Sequence, residues 1–116
     1  MRRKTMIDES KKYTVIIKRP DEEYGHRCSI SFRLENLQKT VGGYIEEVDF
    51  LVDGYPHFMV ICNEEGKIQN LPFNMNFPGD NFVGTIIVVG STIDGEFAEC
   101  PLTFKQWKEL VDTWRK

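Results

Sequence analysis

Apolar residues in this chain come in short runs separated by polar turns, and the period within each run distinguishes strands from helices. Tyr13 to Lys18 (Y-T-V-I-I-K) is rich in β-branched residues and predicts a first strand, which Pro20 ends. From Arg27 to Phe32 the pattern has period two: Cys28, Ile30 and Phe32 share one face, Ser29 and Ser31 the other. Leu34, Leu37 and Val41 then recur at spacings of three and four, the face of a short helix, and Gly42 suits the left-handed position after its last turn. Tyr44 to Leu51 reads as a strand with two mixed faces, as expected near an edge or a groove. His57 to Cys62 (H-F-M-V-I-C) is almost wholly apolar, as in a central strand covered on both sides.

Asn63-Glu64-Glu65-Gly66-Lys67 predicts a tight turn, with Asn63 capping its own backbone and Gly66 left-handed. A return strand is expected to open at Lys67 and Ile68 and to stop at Pro72. Leu71 to Asn81 reads as a long connection holding two prolines, three asparagines and two phenylalanines. Phe82 to Val89 is the strongest strand signal, with Gly84 marking a bulge or a close backbone approach. Asp94-Gly95 then turns the chain into a short strand from Phe97 to Cys100. The last element is a helix: Thr103 caps it, Gln106 completes a capping box, and Leu102 with Trp107 form a hydrophobic staple. Phe104, Trp107, Leu110, Val111 and Trp114 make its apolar face.

These elements predict an α+β fold with an antiparallel-dominated sheet of about five to seven strands and two helices covering one face. A short helix follows strand 2, and a C-terminal amphipathic helix packs on the sheet. Residues 1–12 are expected to be a flexible tail and residues 13–116 a single domain. The apolar share of 41% and charged share of 28% suit a globular domain. A net charge of −3 argues against a nucleic-acid binder of the basic kind. No apolar run approaches the ~20 residues of a membrane helix, and the basic start Met1-Arg2-Arg3-Lys4 leads into no apolar leader, so a cytoplasmic protein is expected.

The blocks L-x-x-L-Q-x-x-V-G-G-Y-I-E (Leu34–Glu46), V-I-C-N-E-E-G-K (Val60–Lys67), L-P-x-N (Leu71–Asn74) and G-T-I-I-V-V-G (Gly84–Gly90) carry a resemblance. In order and spacing, from about Tyr13 to the C-terminus, the chain resembles the bacterial and phage family catalogued as domain of unknown function 3846. The resemblance implies a small α+β fold and a setting in phages, plasmids and other mobile elements, hence a host bacterial cytosol. It implies no reaction.

No motif assembles an active site. Cys28, Cys62 and Cys100 are far apart and form no C-x-x-C pair, so they read as small buried or half-buried thiols and not as zinc ligands. Asp21, Glu22, Glu23 and His26 fit no metal-loop spacing. Gly42-Gly43 follows a helix, whereas phosphate loops precede one. Neither histidine has a nucleophile motif beside it. No cofactor and no metal are expected. The segment from Leu71 to Asn81 is the best candidate for recognition: Phe73 and Phe77 can stack on a flat ring, Asn74, Asn76 and Asn81 can read donors and acceptors, and Tyr44 and Glu46 are expected alongside. Arg19 and Arg33 are candidate phosphate contacts. The opposing reading has the two phenylalanines plugging the end of the core while the asparagines make turns. The leading function is a non-enzymatic mobile-element accessory protein that binds a host protein or a small nucleotide-like ligand, with blunting of host defence as its purpose. Two alternatives stay open: a small enzyme with a site around Glu46, Glu64 and His57, and a weak single-stranded nucleic-acid binder using Phe73 and Phe77. Homo-oligomerisation also stays open.

Overall fold

A computed structural model describes residues 11–115. The chain runs β1 (Lys12–Lys18), β2 (His26–Ser31), α1 (Leu34–Val41), β3 (Ile45–Phe50), β4 (Phe58–Asn63), β5 (Phe73–Phe77), β6 (Asp80–Val83), β7 (Ile86–Ser91), β8 (Phe97–Ala98) and α2 (Phe104–Trp114). Six strands form one antiparallel sheet in the order β2-β1-β7-β4-β3, with β8 pairing the end of β7. β5 and β6 form a separate two-stranded ribbon. Of the expected tail, all but Lys11 and Lys12 lies outside the described residues, and Lys12 already belongs to β1. Among the described residues no helix is long and apolar enough to cross a membrane.

The α+β architecture agrees with the sequence pattern, and so does the mixed-face strand at the edge: β3 is the last strand of the sheet. The two helices, however, lie on opposite faces, not on one. Ile16, Val60, Ile86 and Val88 point to the side where Trp107, Leu110 and Val111 of α2 pack. Val15, Ile17, Ile61, Ile87 and Val89 point to the side where Leu37 and Val41 of α1 pack, with Phe32 and Phe97. The cause is compositional. β4 and most of β7 are buried at every position, so the inner strands carry two apolar faces and each needs its own cover.

Both helices end as their residues dictate. Gly42 closes α1 at φ +86°, and its N–H donates to the Gln38 carbonyl at 2.8 Å. Thr103 and Gln106 exchange both bonds of the capping box, at 3.0 and 2.9 Å. Trp107 is fully buried, and its Nε1–H donates to the Tyr24 carbonyl at 2.8 Å.

Three local readings change. The segment from Leu71 to Asn81 is mostly a hairpin, not a loop: Phe77 pairs with Asp80, Asn76 with Asn81 and Met75 with Phe82, around a turn at Pro78-Gly79 with Gly79 at φ +85°. Asparagine disfavours strands, so the run looked like a connection, yet backbone pairing and the burial of Met75 and Phe82 prevail. The run Phe82–Val89 is not one strand. Gly84, at φ +74°, separates β6 from β7 and leaves room for Leu71, whose Cδ1 a Cβ would meet at 2.8 Å.

The third change follows Asn63. Its Oδ1 accepts the Glu65 N–H at 2.8 Å, and the Gly66 N–H closes the turn on the Asn63 carbonyl at 3.2 Å, as expected. No return strand follows. Turns continue to Asn70, which takes a positive φ of 57°, and Ile68 is exposed. Gly66 does not have the left-handed φ expected of it. It is required because a Cβ there would stand 2.9 Å from Val83 Cγ2.

Candidate functional site

The β5–β6 ribbon stands against the α2 face of the sheet and leaves a cleft on either side. Its inner surface is held by Phe77, which packs edge-on to Phe50 (5.4 Å between centroids) and tilted over Phe82 (4.4 Å).

The first cleft, about 240 Å³, lies between the ribbon, β3 and the turns after β4. Glu46 comes from β3, Cys62 and Asn63 from β4, Lys67 from the turns, and Phe77, Asp80 and Asn81 from the ribbon. Lys67 forms an ion pair with Asp80 across the rim. That bond, with the Asn81 N–H donating to Asp80 Oδ1 at 2.8 Å, holds the Asp80 carboxyl below the usual carboxylate range. Cys62 lies 4.0 Å from Glu46 Oε1. Burial first, and the Glu46 charge second, push its thiol up to about 11, so it stays protonated and is a poor nucleophile. Asn63 is fully engaged in structure, donating from Nδ2 to the Val41 carbonyl (3.3 Å) and to Gln69 (3.4 Å).

The second cleft, about 260 Å³, lies on the other side of the ribbon, between β5, the end of β1 and the end of α2. Lys18 is 2% exposed here. Its Nζ donates to Asn74 Oδ1 at 2.8 Å and to the Asn74 carbonyl at 3.3 Å. Burial lowers the Lys18 pKa, with Glu22 opposing and Arg115 adding to the fall. Asn74 Nδ2 in turn donates to the carbonyls of Lys18 (2.9 Å) and Gly84 (2.8 Å). Arg115 stands at the mouth, paired with Glu23 at 3.0 Å and Asp112 at 3.5 Å.

Residues 12–115 match the family described as a domain of unknown function (DUF3846). The chain belongs to that family. No curated protein and no solved structure matches it.

In this DUF3846 domain six of the seven candidate residues divide between the two clefts. Glu46, Phe77 and Asn81 meet in the first cleft, and Phe73, Asn74 and Asn76 line the second. Tyr44 is 68% exposed and lines neither. Asn74 faces inward, its side chain bound to Lys18 and Gly84. Arg19 and Arg33 pair with the neighbouring Glu22 and Glu35 and line neither cleft.

Glu46 and Glu64 do share the first cleft, but His57 does not join them. It sits just before β4, five residues from Cys62 and about 16 Å away at strand rise, where its Nε2 pairs with Asp49 at 2.9 Å. Phe73 and Phe77 lie on opposite sides of the ribbon and form no continuous stacking track. Among the described residues no three His, Cys, Asp or Glu side chains are placed to hold a metal ion.

Lys18 is the residue that sequence reasoning missed. The signal was present: Lys18 has the same parity along β1 as Ile16, so it points to the α2 face. Arg115 gave no signal, because its role depends on where α2 ends in space.

Proposed function

We propose that this domain is a non-enzymatic binding module whose first cleft seats a small flat ligand rich in hydrogen-bond donors, of the nucleobase or nucleoside class. The observation that supports this reading is the convergence of Glu46, Phe77 and Asn81 from β3, β5 and β6 on one concave surface. Phe77 offers a ring edge beside Val48 and Ile68, Asn81 an amide, and Glu46 and Glu64 carboxylates for amino or imino groups. At about 240 Å³ the space suits one heterocycle with its sugar and little more. Three carboxylates on the lining, Glu46, Glu64 and Asp80, face a single ammonium, Lys67, so a phosphate is repelled and the unphosphorylated form is preferred. A protonated Cys62 and a distant His57 leave the lining carboxylates without an activated nucleophile beside them, which favours binding over catalysis.

In a mobile-element setting such a module would act by withholding a small molecule from the host's defence. A host-protein partner is the second reading. Tyr44 and Leu51, 68% and 85% exposed, flank β3 on the free edge of the sheet and favour a protein docking there.

Titration of isotope-labelled protein with adenosine, guanosine, cytidine and uridine tests the first reading. Amide shifts are expected at Glu46, Lys67, Phe77 and Asn81, and Glu46→Gln should weaken binding about tenfold without moving the melting temperature. Absence of shifts with all four nucleosides, or shifts only with their phosphates, would overturn it. Shifts confined to Tyr44 and Leu51 on adding host lysate would transfer the assignment to the sheet edge.

A further inference from the structure

We propose that the second cleft is a distinct site for a small organic anion, a carboxylate or phosphate monoester, whose charged end is held by Lys18 and Arg115 and whose apolar body rests on Phe73. This inference is independent of the first cleft, which lies across the ribbon and carries the opposite charge balance.

Lys18 is 2% exposed, and both of its hydrogen-bond acceptors are neutral oxygens of Asn74. An ammonium has three donors, and no carboxylate among the described residues is paired with this one. A buried cation without a contact ion pair is costly; Glu22, Asp21 and Glu23 offset this only without direct contact, and an arriving anion supplies the missing contact. Burial holds the Lys18 pKa down against the opposing charge of Glu22, and the Arg115 charge adds to the fall, so the two cations act on the same space. A bound anion would relieve both effects.

The walls indicate an organic ligand in preference to a bare ion. Phe73 is 54% exposed at the lip, and Met75 and Val111 form the apolar lining. Asn76 is exposed and adds an amide that can recognise a second polar group. Glu23 lines the same cleft and already holds Arg115 at 3.0 Å. It competes with the ligand for the guanidinium, so it tunes affinity downward.

The probes are benzoate and phenyl phosphate, with benzamide and benzylamine as neutral and cationic counterparts, followed by calorimetry and amide shifts at constant ionic strength. Benzoate or phenyl phosphate should bind, shifting Phe73, Asn76 and Arg115, while benzamide and benzylamine should not. A preference between the two anions tells carboxylate from phosphate. Arg115→Gln, on an exposed residue that the fold tolerates, should weaken binding about tenfold or more. Lys18→Met should abolish it, with Arg115→Gln as the deciding variant if the former fails to fold. Glu23→Gln should tighten binding several-fold, and Lys39→Ala, an exposed residue of α1 on the other face of the sheet, should leave it unchanged. Benzamide binding as well as benzoate, no binding of either anion up to about 10 mM, or anion binding insensitive to Arg115→Gln would each overturn the proposal.

Discussion

Replacing Asn74 by alanine removes the side chain that ties β1, β5 and the β6–β7 junction together. Its amide makes three bonds: Nδ2 to the Lys18 and Gly84 carbonyls at 2.9 and 2.8 Å, and Oδ1 from the Lys18 ammonium at 2.8 Å. The charge-assisted bond alone is worth about 1.5–3 kcal/mol, and each buried carbonyl left unpaired adds about 1 kcal/mol or more, so a loss of about 3–5 kcal/mol is expected. A chain of this length unfolds with an entropy of about 0.24 kcal/mol/K, so the melting temperature should fall by about 12–20 °C. Thermal and urea unfolding followed by circular dichroism measure this directly. The double variant Lys18→Met/Asn74→Leu should lose less than the two single changes together, because no buried charge is left stranded. A loss below about 1 kcal/mol for Asn74→Ala would refute the reasoning.

The same site fixes a pH dependence. The folded state holds Lys18 below its unfolded pKa of about 10.4, so the unfolded chain binds more protons between the two values. Stability attributable to Lys18 is therefore lowest at pH below the folded pKa. It rises relative to Lys18→Met as pH climbs towards about 10.4. Asn74→Ala removes an acceptor that favours the ammonium, so the rise should begin at lower pH.

Further outcomes follow from the core and the turns. Trp107→Ala should cost about 3–5 kcal/mol, and Trp107→Phe about 1–2 kcal/mol, through the orphaned Tyr24 carbonyl; an unchanged urea midpoint for the alanine variant would contradict a closing role for α2. Gly66→Ala should destabilise by about 1 kcal/mol or more through contact with Val83, and Val83→Ala should rescue part of the loss, whereas a purely conformational cause predicts no rescue. Iodoacetamide should leave Cys62 unmodified in the native protein at neutral pH while labelling it freely in urea, and labelling at equal rates would contradict a protonated buried thiol.

How far the sequence could be read depended on how local each determinant is. The capping box at Thr103 and Gln106, the glycine stop at Gly42 and the β-branched strands were legible because neighbouring residues set them. The ribbon was not, since the strand character of Asn74 and Asn76 comes from pairing across the turn. The candidate site was half legible for a related reason. The ribbon's register shifts between Phe73 and Met75, and Asn74 and Met75 are both buried in spite of strand alternation. Asn74 is thereby turned towards Lys18, and Phe73 is set on the opposite face from Phe77; Asn76 and Asn81 are directly paired and part only because one cleft runs along β5 and the other along β6. Only the three-dimensional arrangement could divide six of the seven candidates between two clefts.

The strand order also governs the route by which the chain acquires its structure. β1 with β2, and β3 with β4, are hairpins of sequence neighbours that can form early. Neither reaches the other until β7 arrives and pairs Ile16 with Val88 on one side and Val60 with Val88 on the other. A ribosome that has not yet released Ile86–Ser91 thus carries two unjoined hairpins, each with an apolar edge open to wrong partners. Joining them late is expected to slow folding, and nascent chains that stop before β7 are expected to aggregate more readily than the complete chain.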